Sequence, residues 1–427
     1  MARKMKDSGI EWIKSIPVNW ECKRGKQLFI ETNERSIAGT EELLTVSHIT
    51  GVTPRRQKNV NMFMSESLTG YKICHPGDIA ANTMWLWQGA VGVSNYHGVI
   101  SPSYNTYRQR TNDYDSKYLD YLLRIQPLID TYAAYSTGIT LSRLRLYPES
   151  FLSIYFIVPP LTEQQHISSY LDVHCSEIDA MLSKTRSSIE EYKKLKQAVI
   201  TQAVTKGVRG EREMKDSGNP WFGQIPTDWK LSRVGLHFSI ILGKMLCNAP
   251  LNDTYTLEPY YCAADVHFDG VADGERKKMW FSPIEKDLYR VSVGDLLVVE
   301  GGAGAGGSAI VENQDSYTYI QNSIMIVRSK GNADSRYLRY LLEFLVKQGY
   351  IDVVCNKATI PHFTKDKLSC VPFCLCPTGE QKEIADYLDA KCAEIDRLIA
   401  KKEQLVKELE SYKKSLIYEV VTGKREV

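Results

Sequence analysis

Three stretches and the histidines hold residue types whose spacing could do chemistry. The run Gly301-Gly302-Ala303-Gly304-Ala305-Gly306-Gly307-Ser308 has the composition of a phosphate loop, in which bare backbone amides approach an anion. No lysine follows its last glycine, and Ala309-Ile310-Val311 suits a strand rather than a helix. A hairpin tip is the favoured reading. Glu191-Tyr192-Lys193 has the Glu-x-Lys spacing of a nuclease site, but two residues apart on a helix do not share a face. Cys370, Cys374 and Cys376 form the one cluster among 10 cysteines. Zinc needs a second ligand pair, and Val371, Phe373 and Leu375 between the thiols suit a strand. None of the 8 histidines sits beside a serine or cysteine in a recognisable nucleophile turn. The Asn-Pro-Pro-aromatic tetrapeptide of amino-methyltransferases is absent, as is a cofactor-binding glycine motif. The chain reads as one that binds rather than catalyses.

The elements that position these residues occur twice. Glu163-Gln164 lines up with Glu380-Gln381, and one constant offset then carries Ile167 onto Ile384, Tyr170-Leu171-Asp172 onto Tyr387-Leu388-Asp389, and Cys175 onto Cys392. The same offset pairs Glu177-Ile178-Asp179 with Glu394-Ile395-Asp396 and Val204-Thr205 with Val421-Thr422. Each copy predicts one long amphipathic helix. Its seam runs through Ile178, Leu182, Thr185, Ile189, Tyr192, Lys196, Val199 and Ala203, and in the second copy through Ile395, Ile399, Lys402, Val406, Leu409, Lys413, Leu416 and Val420. Steps of four and three are the heptad spacing of helices that pack along their length. Thr162 with Gln165, and Thr378 with Gln381, offer capping boxes, and Gly207 and Gly423 supply the stops. About forty residues make a rod of roughly 60 Å. Leu398, Leu405 and Tyr412 widen the second apolar face beyond what one partner helix needs, which suggests another protein surface.

A second repeat opens each half. Met5-Lys6-Asp7-Ser8-Gly9 returns as Met214-Lys215-Asp216-Ser217-Gly218, and Ile16-Pro17-Val18-Asn19-Trp20 as Ile225-Pro226-Thr227-Asp228-Trp229. These tryptophans are expected to anchor the opening segment to a core. Between opening and helix the halves diverge, apart from Gly77-Asp78 with Gly294-Asp295 and Tyr118-Leu119-Asp120-Tyr121-Leu122-Leu123 with Tyr337-Leu338-Arg339-Tyr340-Leu341-Leu342. The expectation is an α/β (α+β) tandem duplication: two mixed α/β domains, 1–160 and 208–376, separated by two long helices, 161–207 and 377–427. Packed antiparallel as a coiled coil, the helices would relate the domains by a pseudo-two-fold axis and close the chain into a circle.

Composition limits the function classes. At 427 residues, 43% hydrophobic and 24% charged, the chain is ordinary soluble globular material with more than one domain. No apolar run reaches membrane-spanning length and no signal peptide is evident, so a cytoplasmic location is expected. Scattered cysteines suit reduced thiols in such a compartment. A net charge of +2 neither announces nor excludes a nucleic-acid binder, because local patches decide.

The ordered pair of repeats, with Met-Lys-Asp-Ser-Gly through Ile-Pro-x-x-Trp, the internal Gly-Asp, and the Glu-Gln start of a heptad helix, resembles the specificity subunit of type I restriction-modification systems over essentially the whole chain. The resemblance implies a non-catalytic DNA-binding subunit whose two target-recognition domains each read one part of a split, asymmetric site. The helices would act as a ruler and dock modification methyltransferase subunits, two of them, carrying S-adenosylmethionine. A restriction subunit would add translocation and cleavage with ATP and Mg. No cofactor or metal is expected in this chain, and no membrane. Related domains would meet one face of duplex DNA about one turn, roughly 34 Å, apart. Arg55, Arg56 and Lys58, and Arg276, Lys277 and Lys278, are candidate phosphate contacts, the alternative being solvated turns. Arg143 and Arg145, with Lys357 and His362, form a second pair of candidates. The tips around Trp85, Trp87 and 302–306 form a third, because the halves diverge there directly after the shared Gly-Asp. Two rival readings are a self-sufficient modification or nuclease enzyme and a scaffold that joins partners without DNA.

Overall fold

A computed structural model describes residues 3–58, 67–140, 144–313, 317–355 and 361–427. The chain forms two compact units, Met1–Arg186 with Glu403–Val427, and Ser187–Lys402. Both long helices are continuous, Leu161–Lys206 and Thr378–Val421, and each contributes to both units.

Each unit is built on an antiparallel four-stranded sheet of the same order. In the first the order is Phe29–Thr32, Asn105–Gln109, Ile79–Ala81, Val91–Val93. In the second it is Phe238–Leu242, Ile324–Ser329, Leu296–Val299, Ser308–Ile310. Leu296 to Val299 are wholly buried, as a run of β-branched and apolar residues covered on both faces must be. The shared Gly-Asp has a structural role. Asp78 is buried and accepts two hydrogen bonds from the Arg108 guanidinium at 2.7 and 2.8 Å, and Asp295 accepts from Arg328 at 2.7 and 2.6 Å. Each carboxylate also takes a backbone amide, of His75 or of Ser292. A bidentate pair locks the strand ends beside it.

The Tyr-Leu-x-Tyr-Leu-Leu stretches are helices, Ser116–Leu123 and Ser335–Lys347, each capped by an aspartate, Asp115 or Asp334. Their leucines fill the core, and their second tyrosine faces a long helix. Tyr121 and Lys117 both bond Asp172, at 3.0 and 2.5 Å; Tyr340 and Arg336 both bond Asp389, at 2.8 and 2.7 Å. The duplicated aspartate therefore grips the same helix in each unit.

The Glu-Gln pair does the same for the start of each long helix. Gln164 and Gln381 are fully buried. Gln164 accepts from the Asp115 amide and donates to the Asp113 and Pro159 carbonyls; Gln381 accepts from the Asp334 amide and donates to the Cys376 carbonyl. Glu163 accepts from the Trp20 indole at 2.9 Å and pairs with Arg3. Glu380 pairs with Arg212 at 2.5 Å, and Arg212 also lies over Trp229. Trp20 and Trp229 are completely buried, as expected of anchors.

The capping boxes expected at the helix starts are not what caps them. Thr162 lies inside the helix, and the Gln381 amide and Thr378 hydroxyl go to Asp334, Cys376 and Asn332 instead. The first amides bond the Pro160 and Pro377 carbonyls. A buried glutamine must satisfy its amide in the domain, so it is withdrawn from the cap. The glycine stops do hold. Gly207 and Gly423 have φ of +78° and +70°, and a Cβ on Gly423 would meet Pro17 at 2.5 Å. The second long helix thus ends against the opening segment of the first half.

The helix seams run antiparallel. In the first unit Ile178 and Leu182 share a core with Val406, Leu409, Leu416 and Val420. In the second Ile200 and Ala203 share one with Ile384, Leu388 and Cys392. Lys413 and Lys196 each find a carboxylate on the opposing helix. Lys413 bonds both Asp179 oxygens at 2.7 Å, and Lys196 bonds Asp396 at 2.8 and 2.7 Å. Lys402 lies over the Tyr192 ring at 5.6 Å.

Candidate nucleic-acid interface

In the first unit a tip at 82–90 joins Ile79–Ala81 to Val91–Val93. Its shape is fixed by side chains. The Asn82 amide donates to the Tyr104 hydroxyl at 3.0 Å while its oxygen accepts from the Met84 amide at 3.3 Å. Thr83 donates to the Ser103 carbonyl at 2.7 Å, and the Trp87 indole to the Met84 carbonyl at 3.0 Å. Leu86 is buried beneath. Gly89, at φ +86°, turns the chain where a Cβ would press on Ile129 at 2.7 Å. What remains outside is Trp85, 50% exposed, with Met84 beside it. The Trp85 and Trp87 rings stack at 6.3 Å and 14°.

The basic turn Arg55–Gln57 lies near the base of this tip. Burial raises the Tyr104 hydroxyl above its ordinary pKa, and the Arg55 charge opposes that rise. Arg56 is exposed and pairs with Glu42 at 2.8 Å. Lys58 donates to Ser47 at 3.0 Å, and partial burial holds its ammonium below the usual lysine range. Arg145 is exposed, on a short antiparallel bridge to Thr137. Arg143 lies outside the described residues.

The second unit presents a different tip in the same place. Leu296–Val299 turns through the glycine run into Ser308–Ile310, so the run is a hairpin tip rather than a phosphate loop leading to a helix. Gly302 and Gly306 have φ of +87° and +82°, a conformation that glycine adopts without penalty. The tip is tied to the loop ahead of the long helix. The Gly302 amide donates to the Pro361 carbonyl, and Gly301 bridges to His362. His362 is 61% exposed at its side chain and stands 3.6 Å from Glu300. Two candidate groups are thus neighbours. Lys357 lies outside the described residues.

The basic cluster of this unit belongs to a ribbon. Thr256–Tyr261 pairs with Lys277–Phe281, setting Leu257 opposite Trp280 and Pro259 opposite Lys278. Met279 and Phe281 are buried, whereas Lys277 and Lys278 are exposed and Trp280 is half-buried. The Arg276 guanidinium is engaged inside its own domain: it lies over Tyr261 at 4.8 Å, bonds Asp265 at 3.1 Å, and donates to the Ala272 carbonyl. Lys277 and Lys278 are left as the solvent-facing cations of the cluster. Sequence reading passed over Trp280 and Met84, although the alternation Lys278-Met279-Trp280 already set Lys278 and Trp280 on one face.

The other chemical candidates resolve as ordinary structure. Glu191 and Lys193 are exposed on the first long helix, with Lys193 paired to Glu190 at 3.0 Å. Cys374 sits in the strand Pro372–Leu375, and burial pushes its thiol up to about 12. No helix among the described residues is long and apolar enough to cross a membrane.

Residues 227–409 match the family model for the Type I restriction modification DNA specificity domain. The Methanocaldococcus jannaschii protein named for the type I restriction enzyme MjaX specificity subunit is 28% identical over 275 residues, 62% of this chain and 58% of that relative. The type I restriction enzyme MjaVIII specificity subunit of the same organism is 24% identical over 79% of this chain and 78% of its own length. Among solved structures, a chain from work on the complex assembly and conformational transition of the type I R-M system superposes with a TM-score of 0.74 at 16% identity, covering 96% of this chain and 99% of that one. The HsdS subunit from Thermoanaerobacter tengcongensis gives 0.56 at 16% identity, covering 96% and 98%. At such identities the structural likenesses establish the fold. Both named relatives are specificity subunits of type I restriction enzymes.

Proposed function

We propose that this chain, whose second half carries the type I restriction modification DNA specificity domain and whose repeats and fold are those of type I specificity subunits, is the DNA-recognition subunit of a type I restriction-modification complex. The observation that carries the reading is the contrast between a duplicated frame and unlike tips. Glu163 and Glu380 each pair with an arginine of the opening segment, and Gln164 and Gln381, Asp172 and Asp389, and Asp78 and Asp295 make matching contacts in their units. On that frame the first unit presents Trp85 and the second a glycine tip beside His362. One frame with two different reading edges suits a split, asymmetric site.

Double-stranded DNA is the ligand. Arg55, Arg56, Lys58 and Arg145 in the first unit, and Lys277 and Lys278 in the second, position it through phosphates, while the tips face bases. The exposed Leu405 and Tyr412 form a surface for the modification methyltransferase subunits. S-adenosylmethionine belongs to those subunits, and ATP and Mg to a restriction subunit. The test is methylation mapping of a host expressing this chain with its cognate modification subunit. A split adenine-methylated motif that vanishes without the chain, and of which one half changes when residues 208–376 are exchanged, is the expected result. An unchanged methylome despite assembly overturns the reading in favour of a scaffold or an independent enzyme.

A further inference from the structure

We infer that Trp85 is the residue through which the first domain reads its half of the DNA site, by apolar contact of its indole with a base. The inference rests on the DNA-recognition reading and adds to it a residue and a chemistry. An exposed tryptophan in a soluble domain needs a reason, because its large apolar surface is ordinarily buried. Trp85 is not a loose surface side chain. The backbone that carries it is held by the Asn82–Tyr104, Thr83–Ser103 and Trp87–Met84 hydrogen bonds. Leu86 is sunk in the core below, and Trp87 stacks behind its ring.

A flat apolar side chain presented on a rigid turn is a preorganised contact, since little rotamer freedom remains to be lost on binding. The basic turn of the same domain identifies what it meets. The Arg55 charge acts on Tyr104, whose hydroxyl accepts from Asn82 at the base of the tip, and Arg56 and Lys58 follow Arg55. An exposed apolar ring on a domain that also carries the basic turn Arg55–Gln57 matches a nucleic-acid surface, with phosphates outside and bases within. In the groove that ring can pack on a thymine methyl or insert at a base step. Both are the same chemistry, apolar contact with a base, and experiment separates them. The corresponding tip of the second domain bears no side chain larger than alanine from Gly301 to Gly307. Trp85 therefore acts on one half-site only.

The test uses the full chain co-expressed with its modification subunit, with Trp85→Ala and Trp85→Phe compared against the unaltered chain. Trp85→Ala is expected to weaken binding to the cognate duplex roughly 10- to 100-fold and to relax the methylated motif at one position of the first half, while the second half is read unchanged. Trp85→Phe should retain most of the selectivity. Retention of the second half-site reports that the altered chain is folded. With the unaltered chain, replacing thymines of the first half-site by uracil should lower affinity if the methyl is the contact, whereas brightening of 2-aminopurine placed there would reveal unstacking at a step. A Trp85→Ala chain that binds within twofold and keeps the full motif overturns the inference. If the unaltered chain itself directs no split motif, it is the DNA-recognition reading that has failed.

Discussion

Gln164 shows what a single buried side chain can be asked to do. Its amide fills three hydrogen-bonding positions at once, the Asp115 amide and the Asp113 and Pro159 carbonyls. Truncation would leave two carbonyls and an N–H buried or poorly hydrated beside an already packed helix start. Gln164→Ala should therefore cost about 2–4 kcal/mol, read as a lowered midpoint in urea, whereas exchange of the neighbouring exposed Gln165 should be nearly silent. A second contrast concerns the basic cluster of the second unit. Arg276→Ala should destabilise the fold by about 1–3 kcal/mol, because it removes a guanidinium packed on Tyr261 and bonded to Asp265. Lys277→Ala and Lys278→Ala should leave the thermal midpoint alone and weaken DNA binding at low salt. Equal effects of all three on binding, with none on stability, would refute this division of roles. In the sequence these three residues are one basic word. Nothing local separates them, because Asp265 and Tyr261 come from a turn and a strand that only the fold brings alongside.

At the scale of elements, the long helices were legible because their signal is local and repeated, whereas their caps were not. A heptad seam is visible in a dozen residues; the partner of a buried glutamine lies about fifty positions away. The seam lysines Lys413 and Lys196 meet Asp179 and Asp396, which occupy matching positions in the two copies. These ion pairs are partly solvated, Asp179 being 57% exposed at its side chain, so their net contribution is small. Lys413→Leu should change stability by no more than about 1 kcal/mol, since Asp179 rehydrates and leucine fits an apolar seam. Leu182→Ala, in the same seam but 5% exposed, should cost about 2–4 kcal/mol. The two variants compared by urea denaturation decide whether apolar packing or ion pairing holds the helices. A larger loss from Lys413→Leu than from Leu182→Ala would reverse the assignment.

For the molecule as a whole, the duplication could be read from fixed offsets, yet the matching order of the two four-stranded sheets could not. Strand pairing depends on register between distant, divergent segments such as Ile30 opposite Arg108 and Ile240 opposite Val327, and no shared residues announce it. The same distance between sequence and surface governs charge. A net charge of +2 is the sum over a chain in which many arginines and lysines are paired internally, and it does not describe the field that DNA would meet. The described cations assigned here to phosphate are Arg55, Arg56, Lys58, Arg145, Lys277 and Lys278. If all six replace condensed counterions, the logarithm of the binding constant should fall against the logarithm of salt concentration with a slope of about −5. That is roughly a thousandfold loss of affinity between about 50 and 200 mM salt. Arg56 is paired with Glu42 and Lys58 is partly buried, so the slope should fall short of that limit, near about −4. Fluorescence anisotropy of a duplex carrying the mapped site, titrated with the full chain at several salt concentrations, measures it directly. The Lys277→Ala, Lys278→Ala double variant should make the slope shallower by about 2. A wild-type slope near zero would mean that the cations named here do not touch phosphate, and that recognition by this chain relies on charge supplied by its partner subunits.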